Sequence, residues 1–576
     1  MKFTNYIKSM LRGLYLSIKR FPLTIIFSAS VAAVLISMSE INQLGQVEET
    51  FGKVAMALAL GIPLSLSIKL LFERLNKETT FFLTIGYGVS ILLPFAYYHI
   101  LLKNLNMINT SRYIGVSLAL YLSFIFIPYL PRKEQFEKYV IRIATNFFIT
   151  VVYSMVLFAG LAAILFAVDS LLGIKIREEM YFYTWLMVVF VFAVTYFLSG
   201  IPVKNESLES RPYPKPLNIL LLYIVMPLIT VYTSILYIYF AKIIVTRQWP
   251  VGLVANLVLW YSVITVLVLF LVTPIKEEKQ WPNIFIKYFP KVILPVLAMM
   301  FVSIFIRINA YGITENRYYI LVLALWVAFV MVYYCFRKKP VNIIIPVTLS
   351  ILAIVSVFGP LSSFSISKFS QNKRLENLLV KNNMLKDGNI QPSPKISKED
   401  KVQISSILQY FDRSHSLTEV KYLPENFKLL ETDKVFGFKL ENDYASQESY
   451  FNFSLNNSEG PLDIKGYEYL FSSRDMNSKE GSLKVIHDDN SPVVKISYEG
   501  KEVYSKDFID FINKLADEHG TNNSGNLLSS SEMTFIDENE KIAVKFVFLN
   551  ISGMTRSEIE DIQINGMDFY IAVKIK

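Results

Sequence analysis

Residues 251–272 read VGLVANLVLWYSVITVLVLFLV, a stretch that contains no charged side chain. A helix rises 1.5 Å per residue, so about 20 such residues cross the hydrocarbon core of a bilayer, which is about 30 Å thick. The stretch therefore predicts a membrane-spanning helix.

The first 360 residues contain ten further stretches of this kind. The composition agrees, because 53% of the 576 residues are hydrophobic and only 18% are charged, which excludes a purely soluble enzyme. We therefore predict an α-helical polytopic membrane bundle of about eleven spans. The predicted spans are residues 21–38, 54–72, 81–102, 113–130, 147–172, 181–198, 217–244, 251–272, 292–306, 318–334 and 343–358.

Charge is unevenly distributed along the chain. Residues 1–360 carry a net charge of +16 and residues 361–576 a net charge of −7. If the N-terminus is cytoplasmic, the inner connecting segments hold 22 Lys and Arg and the outer ones hold 9. The positive-inside rule predicts this orientation, and eleven spans then place the C-terminal domain outside the cytoplasm. Membrane insertion explains the basic charge, so nucleic acid is not a predicted partner.

The chain divides into four predicted regions. Residues 1–20 mix apolar and basic side chains, which is typical of a helix on the inner membrane surface or of an extension of the first span. Residues 21–360 form the membrane domain. Polar residues then dominate, and we expect a helical linker at 361–412 and an extracytoplasmic α+β domain at 413–576.

Alternating apolar residues predict antiparallel strands in the outer domain. One helix interrupts the strands, and we expect Ser505 as its N-cap and Gly520 at its end. The alternating positions are Phe451, Phe453 and Leu455; Tyr467, Tyr469 and Phe471; Val494, Ile496 and Tyr498; Ile542, Val544, Phe546 and Phe548; and Phe569, Ile571, Val573 and Ile575.

No catalytic constellation is present in the sequence. The single cysteine, Cys335, excludes a disulfide framework, and the four histidines offer no metal-ligand spacing. Phosphate-binding, zinc-protease and serine-hydrolase motifs do not occur. We therefore expect no cofactor, no metal and no catalytic residue, and an enzyme is the less favoured class.

The loop after the ninth span is the most specific local feature. Gly312 can adopt an unusual backbone angle, Thr314 can cap the tenth helix, and Glu315 would gain from the helix dipole and from Arg307 or Arg317. One interpretation is a capped, ion-paired hairpin. The other is an anionic-headgroup or solute site built on the two arginines. The candidate residues are Arg307, Tyr311, Gly312, Thr314, Glu315, Arg317 and Tyr318.

Asp169 is the second candidate, because it lies within the long fifth span. A carboxylate inside a membrane is costly unless it is paired or hydrated, so it is a candidate for ion or proton coupling. Its position near the outer end of the span favours simple solvation at the interface as the alternative.

Three segments resemble a bacterial family of multi-spanning proteins that is catalogued only as a domain of unknown function. They are Tyr311–Tyr318 (YGITENRY), Lys19–Pro22 (KRFP) and Ser370–Leu375 (SQNKRL). The resemblance implies the membrane architecture and a bacterial envelope location, and it implies no activity, substrate or catalytic residue.

Three function classes follow from these observations. The favoured one is a non-enzymatic protein of the bacterial cytoplasmic membrane that binds membrane lipids, or envelope proteins, through its outer domain. The alternative is a secondary transporter or lipid flippase that uses Asp169, Arg307, Glu315 or Arg317 near a helix-lined cavity. A membrane-embedded transferase is third.

Overall fold

The structure is a computed structural model. It divides into two compact units, of which the first comprises residues 1–394 and 407–437 and the second residues 395–406 and 438–576. The described residues are 2–41, 46–77, 79–130, 135–203, 212–247, 253–337, 339–441, 449–456, 462–473, 483–487, 491–519, 526–556 and 561–576.

Ten helices of the described chain are long and apolar enough to cross a membrane, which confirms the prediction of a multi-pass membrane protein. Their lengths run from 19 to 37 residues. After α1 (Lys2–Arg20), they are α2 (Pro22–Glu40), α3 (Gln46–Leu75), α4 (Thr80–Ile100), α5 (Met107–Phe126), α6 (Phe136–Leu172), α7 (Glu179–Ser199), α8 (Lys215–Thr246), α9 (Leu253–Val272), α10 (Gln280–Tyr311) and α11 (Glu315–Phe336).

The eleventh predicted span forms a shorter helix than expected, α12 (Ile344–Val355), of 12 residues. Three contacts nevertheless align residues 342–361 antiparallel to α11 along its whole length. The short helix and its irregular flanks thus return the chain from the last turn of α11 to its first turn. The contacts join Tyr334 with Asn342, Trp326 with Thr348, and Tyr318 with Leu361.

Contacts between helix ends agree with alternating passes. Arg20 forms two hydrogen bonds to the Glu73 carboxylate, of 3.0 and 2.8 Å, and donates to the carbonyl of Ile201 at 2.8 Å. Arg20 ends α1, two positions before α2 begins, Glu73 lies near the end of α3, and Ile201 follows the end of α7. An alternating path brings these helix ends to one side. This half-buried Arg–Glu pair, with two parallel hydrogen bonds, therefore holds three helix ends together.

Two of the membrane helices contain π-helical turns, Val188–Ala193 within α7 and Leu220–Val225 within α8. In α7, the buried Ser28 hydroxyl of α2 donates to the carbonyl of Phe190 at 2.5 Å. Such turns widen a helix and leave backbone groups to be satisfied by neighbours, and they often occur at functional sites.

The first unit continues beyond the membrane helices. Helix α13 (Ser363–Lys381) has Ser362 as its N-cap, whose hydroxyl accepts a hydrogen bond from the Ser365 N–H. A two-stranded hairpin of β1 (Leu385–Lys386) and β2 (Asn389–Ile390) follows. The next helix is α14 (Lys398–Ser414), of which residues 407–414 belong to the first unit and the preceding ones to the second. The short α15 (Thr432–Phe436) also belongs to the first unit.

The second unit is an α+β domain with mostly antiparallel strands, as predicted. Its strands are β3 (Ser449–Leu455), β4 (Tyr469–Ser472), β5 (Leu483–His487), β6 (Val493–Tyr498), β7 (Lys501–Asp507), β8 (Asn526–Leu528), β9 (Thr534–Glu538), β10 (Ile542–Arg556) and β11 (Asp561–Ile575). The larger sheet has the order β4-β11-β10-β3-β8, with β9 paired to β10, and β5-β6-β7 form a second sheet. Only the β3–β8 pair among the described strands is parallel.

The core of this domain forms from the predicted alternating positions together with one helix, α16 (Ile509–His519). Phe508 is fully buried against Phe546 and Phe548 of β10. The expected cap was wrong: Ser505 lies in β7, paired with Lys495, and the Asp507 carboxylate accepts from the Ile509 N–H at 2.9 Å. Gly520 lies outside the described residues.

Candidate functional site

The loop between α10 and α11 turns at Gly312, whose φ is +68°. This confirms the unusual backbone angle expected there. The backbone angle favours glycine, and a Cβ at this position would lie 2.9 Å from the Gln371 side-chain nitrogen, so that flexible side chain would have to shift.

Helix α13 holds this loop. The Ile313 N–H donates to Ser370 Oγ at 2.9 Å, and the Gln371 amide donates to the carbonyls of Tyr311 and Ile313, both at 3.1 Å. Two of the segments singled out in the sequence, YGITENRY and SQNKRL, therefore contact each other. Because residues 342–361 run back along α11 to its first turn, this contact also places both segments at the same end of α11.

Glu315 begins α11 and is 6% exposed. Its Oε1 accepts hydrogen bonds from Ser367 Oγ and Tyr410 OH, both at 2.7 Å, and lies 2.8 Å from His415 Nε2. We call these four residues the Glu315 pocket. A buried carboxylate needs such donors, because without them its desolvation would cost several kcal/mol.

Two further charged side chains, Glu419 and Lys368, lie next to the Glu315 pocket. His415, whose side chain is 2% exposed, has its Nδ1 3.4 Å from Glu419 Oε2, and Lys368 Nζ is 2.9 Å from Glu419 Oε1. Burial, and then the nearby Glu315 carboxylate among other groups, raises the pKa of Tyr410, so its phenol stays protonated and donates at neutral pH. The pocket is thus a closed network of matched donors and acceptors.

Arginines gather on the other side of the same loop. Arg317 Nη1 is 3.1 Å from the Gly312 carbonyl and 3.4 Å from that of Tyr311, and its guanidinium lies 5.4 Å from the Tyr311 ring centroid. Arg374 Nη1 reaches the same Tyr311 carbonyl at 3.3 Å. Two guanidinium groups therefore converge on one oxygen atom.

Arg307 adds a third positive charge, one helical turn before Tyr311, and its charge acts on Arg317. We call Arg307, Arg317 and Arg374 the Arg cluster. All three are half-buried. Burial, and after it the charge of Arg317, lowers the pKa of Arg374, which nevertheless stays cationic because guanidinium groups titrate only at very high pH.

The structure separates residues that the sequence grouped together. Glu315 contacts the residues of its own pocket, whereas Arg317 donates to backbone carbonyls. Thr314 stands at the N-cap position with an extended backbone, but its side chain makes no cap hydrogen bond to the described first turn of α11. Tyr318 is buried and donates to the carbonyl of Leu361.

Several residues of the site were missed by reading the sequence. Ser367, Tyr410 and His415 lie 52, 95 and 100 positions after Glu315, beyond any local pattern. Arg374 belongs to the SQNKRL segment, which was singled out without any assigned role.

Asp169 lies apart from both groups, near the end of α6. Its carboxylate accepts from the Ile176 N–H at 3.4 Å, a local contact across the turn that follows the helix. This environment resembles an ordinary helix end more than a coupling site.

A polar cavity of about 550 Å³ occupies another part of the first unit. Its lining includes Lys138, Arg142 and Asn146 of α6 and Glu278, which follows α9. Neither Asp169 nor the Arg cluster lines it. Among the described residues, no group of three or more His, Cys, Asp or Glu side chains is placed to hold a metal ion.

Comparison with known proteins gives a family and one distant relative. "Uncharacterized protein PM1469" from Pasteurella multocida (strain Pm70) is 21% identical over 410 residues, which cover 70% of this chain and 66% of that protein. No solved structure matches the chain. The family described as "Domain of unknown function (DUF4153)" matches residues 23–389, which include every membrane helix and the loop with its α13 partner. The chain therefore belongs to the DUF4153 family.

Proposed function

We propose that this protein is a non-enzymatic, multi-pass protein of the bacterial cytoplasmic membrane that binds anionic lipid headgroups at the Arg cluster. The observation that carries the proposal is the convergence of Arg317 and Arg374 on the Tyr311 carbonyl. Like charges gathered at a half-buried site repel one another, and a bound phosphate would relieve that repulsion. Guanidinium groups offer the forked donors that phosphate accepts best.

The position of the cluster favours a lipid over a free anion. Arg307 is near the end of α10 and Arg317 near the start of α11, so both stand where membrane-spanning helices meet the headgroup layer. Tyr311, which is 49% exposed, lies between them, and tyrosine is enriched at this depth. This proposal adopts the anionic-headgroup interpretation of the loop, whereas the function class favoured from the sequence assigned lipid binding to the outer domain.

The proposed orientation follows from the number of passes. Eleven passes and a cytoplasmic N-terminus put the loop, α13 and the C-terminal domain outside the cytoplasm. A cysteine at exposed Lys501, in a chain whose Cys335 is replaced by serine, should then react with a membrane-impermeant thiol reagent in spheroplasts. The matched control is Glu277→Cys, in the turn between α9 and α10, which should react only after lysis. The reverse pattern would contradict this orientation.

Lipid binding is tested in nanodiscs of phosphatidylcholine that contain a minor fraction of phosphatidylglycerol. Native mass spectrometry of the released protein should show selective retention of phosphatidylglycerol. The Arg317→Gln, Arg374→Gln double variant should retain about a hundredfold less, since the two lost charge-assisted hydrogen bonds contribute at least about 1.5 kcal/mol each. Equal retention by the double variant would contradict the proposal.

The matched control is Lys373→Gln, which removes one positive charge from the neighbouring position of α13. Lys373 is 55% exposed and pairs with Glu376 at 3.4 Å, so its loss should leave retention unchanged. Adding an excess of inorganic phosphate distinguishes a site for a lipid headgroup from a site for a free anion. Retention that survives it identifies a lipid site, whereas displacement would indicate a free-anion site instead.

A transporter or lipid flippase is a second proposal, favoured by the polar cavity beside α6. Lys138, Arg142 and Glu278 give it charged groups of both signs. If it serves transport, Arg142→Gln should abolish the movement of a fluorescent phosphatidylglycerol across proteoliposomes while binding at the Arg cluster persists. Unchanged movement, or none in the unmodified protein, would rule out this proposal.

A further inference from the structure

An apolar cavity of about 600 Å³ lies within the membrane bundle, among α2, α3, α5, α6 and α7. Its size falls in the range of small-molecule binding sites. Aromatic rings form much of the wall, and no charged side chain occurs among the described lining residues. The polar side chains in the lining are Thr24, Tyr121, Thr150 and Ser154.

The cavity opens sideways toward the bilayer. Phe147, Met155 and Trp185 line it and are 53%, 65% and 43% exposed, whereas the lining residues Leu66 and Leu198 are buried. Because α6 and α7 are membrane-spanning helices, the exposed rim faces hydrocarbon. A lipid can therefore enter from the membrane without crossing water.

Ser154 is the chemically distinctive residue of the wall. It is 8% exposed, and its hydroxyl has no hydrogen-bond partner among the described residues. Thr150, one turn earlier, donates to the Asn146 carbonyl at 2.7 Å, which is how a hydroxyl inside a helix is usually satisfied. An unsatisfied buried hydroxyl is destabilising, so its presence points to a partner that the described part of the chain does not supply.

The π-helical turn of α7 forms the facing part of the wall. Val188, Val189, Phe190 and Ala193 all belong to this turn and line the cavity. The turn displaces these side chains from the positions of a regular helix, which is a common feature of ligand sites.

We propose that this cavity binds one uncharged lipid that carries a carbonyl group, with the Ser154 hydroxyl donating to that carbonyl. The absence of charged groups from the described lining excludes an anionic headgroup, because nothing there would offset its charge. A ring-bearing quinone and a diacylglycerol share the required chemistry. The site is separate from the Arg cluster and holds whether or not that cluster binds phosphatidylglycerol.

Trp185 provides the readout, because it lines the cavity. The protein is reconstituted in phosphatidylcholine nanodiscs and titrated separately with decylubiquinone and with a brominated diacylglycerol, both of which quench tryptophan fluorescence. The difference between the unmodified protein and Trp185→Phe isolates the quenching at this cavity. We expect this difference to saturate with at least one of the two lipids, and the one that saturates identifies the ligand.

Ser154→Ala should weaken the saturable binding about fivefold, the effect of one hydrogen bond of about 1 kcal/mol. It should not lower thermal stability, because it removes an unsatisfied polar group. Ser234→Ala is the matched control: Ser234 is an exposed serine of membrane helix α8 whose hydroxyl already donates to the Thr230 carbonyl. Binding should be unchanged in that variant.

Two outcomes would overturn the proposal. One is quenching that rises linearly with both lipids and never saturates. The other is saturable quenching with the same affinity in Ser154→Ala as in the unmodified protein. Ala193→Phe, which fills the cavity, should abolish the saturable quenching. If this larger substitution prevents folding, the affinity of Ser154→Ala remains the test of the proposal.

Discussion

Glu315 and Arg317 are two positions apart in the sequence, yet their side chains lie in contrasting surroundings. The Glu315 carboxylate is enclosed by donors from Ser367, Tyr410 and His415. Arg317 is half-buried and donates to the Tyr311 carbonyl, to which Arg374, a residue of the same charge, also donates. One side chain completes a network, and the other joins a group that concentrates positive charge.

This difference assigns the Glu315 pocket to the stability of the fold and the Arg cluster to ligand binding. A buried and fully matched carboxylate stabilises the contact between α11 and the segments that follow it, and its removal leaves several donors without an acceptor. The three arginines repel one another, and a bound anion would offset that repulsion. We therefore expect changes in the Glu315 pocket to affect folding and changes in the Arg cluster to affect ligand retention.

The largest effect is expected from Glu315→Ala. Leaving His415 and Tyr410 buried without their acceptor should lower the free energy of unfolding by about 3 kcal/mol. The measurement is the melting temperature of the purified protein in detergent, together with its abundance in membranes. Glu376→Ala is the control, because Glu376 is half-buried and pairs with the exposed Lys373, and loss of this pair should cost less than about 1 kcal/mol. Equal melting temperatures for the two variants would show that the network does not stabilise the fold.

Gly312→Ala should have the next largest effect, about 2 kcal/mol. The substitution strains a backbone with φ of +68° and brings a Cβ within 2.9 Å of the Gln371 amide. Gly160→Ala in α6 is the matched control, since a Cβ there meets no atom within 4 Å. Melting temperatures should fall for the first variant and stay level or rise for the second. A stable Gly312→Ala protein would mean that the loop adopts another conformation.

Asp169→Asn should have the smallest effect. Asparagine keeps an oxygen that accepts from the Ile176 N–H, so both melting temperature and phosphatidylglycerol retention should stay unchanged. Loss of retention at unchanged stability would restore Asp169 as a functional residue and weaken the distinction drawn above.

The lengths of the apolar runs and the spacing of apolar residues were sufficient to predict most of the fold. Runs of about 20 apolar residues correspond to the membrane helices, and alternation at Phe546 and Phe548 corresponds to a strand of the outer core. The eleventh span, predicted at residues 343–358, corresponds to a helix of only 12 residues, because the chain is irregular on both sides of it. Ser505 was misassigned as a cap because the extended chain continues to Asp507 before the helix begins.

The candidate site was only partly accessible from the sequence. Gly312 was predictable, because glycine between two helices signals an unusual backbone angle. The partners of Glu315 were not, because His415 is 100 positions away and nothing local marks it. Because Glu315 lies close in sequence to Arg317, an ion pair between them was expected. In the structure, the Glu315 carboxylate is instead buried against donors from distant positions in the chain.

The most direct test compares Arg374→Gln with Glu315→Gln in the same nanodiscs, with melting temperature and phosphatidylglycerol retention measured on each preparation. We predict that Arg374→Gln reduces retention about tenfold, the effect of one charge-assisted hydrogen bond, while its melting temperature changes by less than about 2 °C. Glu315→Gln should lower the melting temperature by more than that and leave retention per folded molecule unchanged. If both variants lose stability and retention in parallel, the Arg cluster is part of the same structural network, and the proposed lipid site is wrong.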